Sequence, residues 1–129
     1  MIVKLEYKDD NFLFESETGR KLIMDENTPR PMELLLMALI GCTGIDIVEI
    51  LNKMRVQYDR FEIIADGKRA QEHPRKYEYI KLIYKFYGKD LDKEREKIER
   101  AVSLSQNKYC SVRASLNSIV EYSIEIFEV

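Results

Sequence analysis

The chain has 129 residues, enough for one domain with its own core, and 45% of them are hydrophobic against 34% charged. The net charge is −2 and the pI about 5.6, with acidic and basic residues interspersed, so no basic stripe is offered to nucleic acid. Five Gly and three Pro in this composition exclude a disordered or low-complexity segment.

Met1 to Tyr7 alternates apolar and polar residues as a strand does, and lacks the pattern of a signal peptide. Asp9-Asp10-Asn11 predicts a turn, Phe12 to Ser16 a second strand, Glu17-Thr18-Gly19 another turn, and Arg20 to Met24 a third strand. Asp25 to Arg30 is a polar loop. Pro31 then suits the first position of a helix, where its missing N–H costs nothing, and Glu33 falls in the first turn, where a carboxylate suits the helix dipole. The helix is expected to run to Met54 or Arg55. Its first half is apolar on every side, and in its second half Ile47, Ile50, Leu51 and Met54 share a face.

Val56 to Lys68 reads as a strand with imperfect alternation, which allows a bulge. Gln71 to Lys76 is a polar turn around His73-Pro74. Glu78 to Tyr87 is the clearest strand, with Ile80, Leu82, Tyr84 and Phe86 on one face. Asp90 or Asp92 is expected to cap a second helix that buries Leu91, Ile98, Ala101 and Val102. Gln106-Asn107 interrupts it, a short helix from Tyr109 to Asn117 carries Cys110 in its first turn, and Val120 to Val129 is a closing strand. The order is βββ-α-ββ-αα-β, an α+β fold in one domain spanning residues 1–129.

The run Leu34–Ile50 is interrupted or flanked by Glu33, Asp46 and Glu49, which argues for a buried helix over a membrane span, with no membrane partner. One sheet covers only one side of such a helix, so a second copy of the chain is expected beside it, as a homodimer. A cytoplasmic, reducing location is expected, where two cysteines serve as free thiols or a catalytic pair rather than a structural disulfide. They are Cys42, among small residues in the long helix, and Cys110 in Lys108-Tyr109-Cys110-Ser111-Val112. His73, the one histidine, lies in a turn and offers no base for a Cys-His hydrolase and no metal site. Asp46 and Glu49 read as residues of a polar face or a dimer contact, and Tyr109 as core or pocket wall.

Pro31-Met32-Glu33-Leu34-Leu35-Leu36, Gly41-Cys42-Thr43-Gly44-Ile45-Asp46-Ile47-Val48, the Gly88-Lys89-Asp90-Leu91 turn, Ala101-Val102 with Leu104-Ser105, and Lys108-Tyr109-Cys110-Ser111-Val112 follow one another along the chain. In that order and spacing they resemble the OsmC/Ohr family, and within it the YhfA-like branch. The resemblance implies an OsmC-like α+β fold, with antiparallel sheets packed on a long central helix in an intertwined homodimer. It implies thiol-dependent reduction of organic hydroperoxides without metal, haem or flavin. Cys42 matches the family's peroxidatic cysteine and Cys110 its resolving cysteine, with an external thiol or dithiol as reductant.

The best-studied members organise the site with a Glu just after the helix-opening Pro and an Arg from the N-terminal strands. Here Met32 holds the Glu position with Glu33 next to it. Arg20 is the nearest counterpart of the Arg, and Arg30 and Arg113 are alternatives. Asp46, one turn beyond Cys42, opposes a thiolate there unless an arginine intervenes. Met32 and Met37 suit the wall of an apolar pocket for a lipid-like hydroperoxide, and the competing expectation is a non-catalytic dimer of the same fold that binds an apolar small molecule, with the cysteines as pocket walls.

Overall fold

The computed structural model describes residues 1–129 as two compact units, Met1–Leu35 and Leu36–Val129. The first unit is an antiparallel sheet of β1 (Val3–Lys8), β2 (Asn11–Ser16) and β3 (Lys21–Met24), in that order. Lys8 pairs with Asn11, so Asp9 and Asp10 alone make the first turn. Both have positive φ, 52° and 64°, as a two-residue hairpin turn requires to match the strand twist. Gly19, at φ 83°, supplies the left-handed residue of the second turn, and the Ser16 N–H donates to the Arg20 carbonyl at 2.8 Å.

The long helix α1 spans Pro31–Lys53. The Arg30 N–H donates to Glu33 Oε1 at 3.0 Å, the backward half of a capping box. From Leu36 onward α1 belongs to the second unit, where Leu39, Thr43, Ile47 and Leu51 recur every four residues as one buried stripe. Met37, Ala38, Gly41 and Ile45 are exposed, so nothing in the second unit covers the far side of the helix. By length and composition α1 is apolar enough to cross a membrane, and its buried stripe is instead packed within the second unit.

The helix ends one or two residues before the expected boundary, and its ending has a cause. The Val56 N–H donates to the Leu51 carbonyl and the Arg55 N–H to that of Asn52. With Arg55 at φ 59° this is a Schellman motif, sealed by buried Leu51 and Val56. Val56 therefore closes the helix and does not open the next strand.

The second sheet has the order β4-β5-β6, with β4 at Arg60–Arg69, β5 at Tyr77–Gly88 and β6 at Ile119–Glu128. β5 is the middle strand, and its Ile80, Leu82, Tyr84 and Phe86 are fully buried, as their alternation predicts. Lys68 pairs with Tyr79 and Arg69 with Tyr77, leaving Glu78 as an extra residue. The bulge is thus on β5, and it turns Tyr77 to the buried side along with Ile80.

The expectation of antiparallel sheets needs correction, because β6 runs parallel to β5. A parallel neighbour requires a crossover. The segment between these strands supplies it as a 3₁₀ turn (Leu91–Glu94), α2 (Arg95–Leu104), a π-helical turn (Ser105–Tyr109) and α3 (Ser111–Ser115).

The expected carboxylate cap is also absent. Asp90 adopts the left-handed conformation without a side-chain cap bond, and Glu128 of β6 accepts the Asp92 N–H at 2.9 Å instead. Gln106-Asn107 does not interrupt the helix but continues it as the π turn. Cys110 is extended and precedes α3, which is only five residues long, rather than lying in a helical first turn.

Gly67 of β4 faces Tyr77 so closely that an added Cβ would lie 2.6 Å from the ring. Gly67→Ala is expected to lower unfolding free energy by about 1–3 kcal/mol, the usual range for overpacking. Urea denaturation beside wild type at equal protein concentration checks this.

Candidate functional site

The two cysteines and the polar groups around them lie in the second unit. Cys42 is half-buried on α1, and Cys110 is 3% exposed between the π turn and α3. The fold brings the two thiols within hydrogen-bonding reach of each other, and both are free. Burial pushes the Cys110 thiol up to about 11, and the Arg113 backbone N–H opposes it. The Cys42 thiol and the Asp46 carboxylate raise it further. Cys110 therefore holds its proton more tightly than an ordinary thiol.

Beside the thiols runs a chain of buried polar groups. Thr43 Oγ1 lies 2.7 Å from Tyr84 Oη and 2.7 Å from Ser105 Oγ. Ser105 Oγ donates to Asp46 Oδ2 at 2.8 Å, and Gln106 Nε2 donates to Tyr84 Oη at 2.9 Å and Thr43 Oγ1 at 3.3 Å. Thr43, Tyr84 and Ser105 are wholly buried, and Gln106 is 5% exposed.

The proton directions follow from the Asp46 end. A carboxylate only accepts, so the Ser105 hydroxyl points to it. Ser105 then has only its lone pairs for Thr43, so Thr43 donates to Ser105. Tyr84 in turn donates to Thr43, and the Gln106 amide nitrogen donates to Tyr84. Reversing the Gln106 amide would leave two hydroxyl protons for the three contacts Gln106–Tyr84, Tyr84–Thr43 and Thr43–Ser105, so one of them would hold no proton. Burial raises the Tyr84 phenol to about 12, and its bonds to Thr43 and Gln106 oppose that shift.

The arrangement leaves Gln106 Oε1 and Arg113 Nε buried without partners. Both residues line a cavity of about 150 Å³ together with Asn107, Lys108, Cys110 and Ala114. A second hollow of about 340 Å³ is lined by Asp46, Glu49, Ile50, Lys53, Met54, Leu104 and Tyr109. No three His, Cys, Asp or Glu side chains are grouped to hold a metal ion.

Of the residues singled out from sequence, Cys42 and Cys110 meet. Arg20 and Glu33 belong to the first unit. Arg20 is exposed in the β2–β3 turn, its N–H on Ser16 Oγ at 3.1 Å, while Glu33 caps α1. Asp46 is not simply a polar-face residue; it anchors the hydroxyl chain. Tyr109 is half exposed, a pocket wall rather than core.

Sequence reasoning missed Thr43, Tyr84, Ser105 and Gln106. The available signal was a hydroxyl inside each of two apolar stripes, Thr43 between Leu39 and Ile47 and Tyr84 between Leu82 and Phe86. A buried hydroxyl needs a partner.

A family model described as OsmC-like protein matches residues 24–125. Protein YhfA of Escherichia coli K12 is 41% identical over 113 residues, covering 84% of this chain and 83% of that protein. A hypothetical protein of Aquifex aeolicus VF5 superposes with a TM-score of 0.87 at 35% identity, over 99% of this chain and 96% of that one. The organic hydroperoxide resistance protein OhrB of Bacillus subtilis shares the fold with a TM-score of 0.61 at 17% identity, over 97% of this chain and 96% of its own.

Two predictions follow from the buried groups. Thr43→Val removes the middle of the chain and strands the Tyr84 proton, so a loss of about 1–3 kcal/mol is expected in denaturant titration. Cys110 and Tyr84 both hold their protons more tightly folded than unfolded, where their ordinary values are 9.0 and 10.0. Their contributions to stability are complete below those values and disappear as pH rises through about 11 and about 12. Unfolding midpoints measured across this range should fall, and the part above pH 10 should flatten in Tyr84→Phe.

Proposed function

The chain belongs to the OsmC-like family, and on that premise we propose that it is a thiol-dependent peroxidase that reduces organic hydroperoxides. The observation that carries this reading is the meeting of Cys42 and Cys110, one half-buried and one buried with its proton held. Cys42 as thiolate attacks the distal oxygen of the hydroperoxide. The O–O bond breaks, the alkoxide takes a proton and leaves as alcohol, and Cys42 becomes a sulfenic acid. Cys110 then displaces that oxygen as water and closes a disulfide, which an external thiol or dithiol reduces. Every step uses sulfur chemistry, so no metal or organic cofactor enters.

In this reading Arg20 and Glu33 are the groups proposed to organise Cys42, with Arg30 and Arg113 as the other candidate cations. The working form is one OsmC-like domain over residues 1–129, paired as an intertwined homodimer in the reducing cytoplasm. The exposed Met37, Ile45 and Val48 on α1, at 47%, 64% and 40%, support the pairing, since a second copy would cover them.

A second reading has its own support. The hollow sets Ile50, Met54, Leu104 and Tyr109 beside Asp46, Glu49 and Lys53, and its apolar walls suit the apolar part of a small molecule, bound by the same dimer without turnover.

Counting free thiols and measuring intact mass after one equivalent of an organic hydroperoxide separates the two. For the peroxidase, wild type loses both thiols and two hydrogens, Cys42→Ser stays unoxidised, and Cys110→Ser traps an oxidised Cys42 that a sulfenic-acid reagent labels. Thiols that persist in the folded wild type would favour the binding protein. Sedimentation should give a dimer, and Ile45→Glu should shift it toward monomer.

A further inference from the structure

The 150 Å³ cavity has Cys110 in its wall but not Cys42. Displacement at a disulfide sulfur is in-line, so the thiol that reduces a Cys42–Cys110 bond by attacking Cys110 must come from the side away from Cys42. The cavity reaches Cys110 without reaching Cys42, so a thiol within it meets Cys110 alone. Its other walls are Gln106, Asn107, Lys108, Arg113 and Ala114, with two cations and no carboxylate. Neither Lys108 nor Arg113 makes an ion pair. Arg113 Nε is buried without an acceptor, which is costly for a guanidinium N–H unless a ligand supplies one. Gln106, nineteen-twentieths buried, has its carbonyl unpartnered because its amide nitrogen is committed to Tyr84.

We propose that this cavity is the entry site for a small thiol bearing a carboxylate, which Arg113 and Lys108 hold while its sulfur attacks Cys110. The inference takes its place in the cycle from the peroxidase reading, and goes beyond it by naming the reductant's chemistry and the sulfur it attacks. The incoming thiolate forms a bond to Cys110 Sγ as the Cys42–Cys110 bond breaks. The electron pair leaves with Cys42, which regains the attacking form. A second thiol attacks the small-molecule sulfur of the mixed disulfide, and Cys110 departs and takes a proton. Two thiols are oxidised to one disulfide, and the protein disulfide is reduced.

The raised Cys110 thiol supports this direction, since a sulfur that holds its proton up to about 11 is the poorer leaving group of an asymmetric attack. Gln106 Oε1 gives the bound thiol an acceptor for a hydroxyl or amide N–H elsewhere on the molecule. The hydroxyl chain from Asp46 thus acts on this site as a positioning device, by fixing which face of the Gln106 amide lines it.

The test closes the disulfide with diamide, so that it does not depend on peroxide, and follows its reduction in stopped flow. Mercaptosuccinate, 2-mercaptoethanol and cysteamine are compared per thiolate, which removes differences in thiol acidity. The expected order is mercaptosuccinate, then 2-mercaptoethanol, then cysteamine, with the first about tenfold ahead of the second, the worth of one charge-assisted hydrogen bond. That advantage should shrink in Arg113→Met, in the exposed Lys108→Gln and with added salt. Lys108→Gln and the salt series keep the test decisive should Arg113→Met fail to fold.

Equal rates, or a preference for cysteamine, would overturn the proposal while leaving the peroxidase reading intact. A charge preference in a protein whose thiols ignore hydroperoxides would do the reverse. A disulfide that diamide cannot close would overturn both.

Discussion

A single carboxylate sets the direction of a run of buried hydroxyls. Asp46 on α1 accepts from Ser105, and from that one fact the protons of Ser105, Thr43, Tyr84 and the Gln106 amide take one arrangement. The four groups come from α1, β5 and the π turn, so the chain ties the helix and the crossover to the middle strand of the sheet. In a low-dielectric interior each bond is strengthened and each loss is costly, which makes the arrangement stiff. Cys42 is the neighbour of Thr43 in sequence, and Cys110 donates its backbone N–H to the Ser105 carbonyl at 2.8 Å, so both thiols are held by members of the same run.

The π turn is what allows this. An α-helical continuation of α2 would space Ser105, Gln106 and Cys110 differently around the axis. The wider turn presents Ser105 and Gln106 together to the interior, and the extended Cys110 leaves it to start α3. The parallel placement of β6 has the same origin, because a parallel strand needs a long crossover and that crossover carries the turn. The thiol pair is therefore a consequence of topology rather than of any local motif.

Much of the fold was legible in the sequence because its signals are local. The alternation of Ile80, Leu82, Tyr84 and Phe86 marked the central strand, Pro31 and Glu33 marked the start of α1, and Leu91, Ile98, Ala101 and Val102 marked the inner face of the crossover helix. The misses are non-local, apart from the end of α1, which is local but carries no glycine or asparagine at its left-handed position to mark it. The C-terminal end of α1 was set by Leu51 and Val56 sealing a Schellman motif around Arg55, a residue with no turn signature. The 3₁₀ turn is capped by Glu128, from the last strand and not from its own neighbourhood. The bulge belongs to Glu78 although the imperfect alternation was in β4, because a register shift is a property of a strand pair.

By itself the sequence determined which segments are strands and helices, that two cysteines lie in apolar settings, and, through its ordered motifs, its OsmC/Ohr family. Periodicity and resemblance are written along the chain, where side-chain volume and hydropathy repeat at fixed steps. Only the tertiary structure decided that Cys110 is buried against Cys42, that Asp46 is an anchor and not a surface charge, and that Gln106 and Arg113 are left unpartnered beside Cys110. Each of these depends on which distant groups arrive to accept or donate a proton, and a hydrogen bond between residues sixty positions apart leaves no periodic trace for either residue to carry.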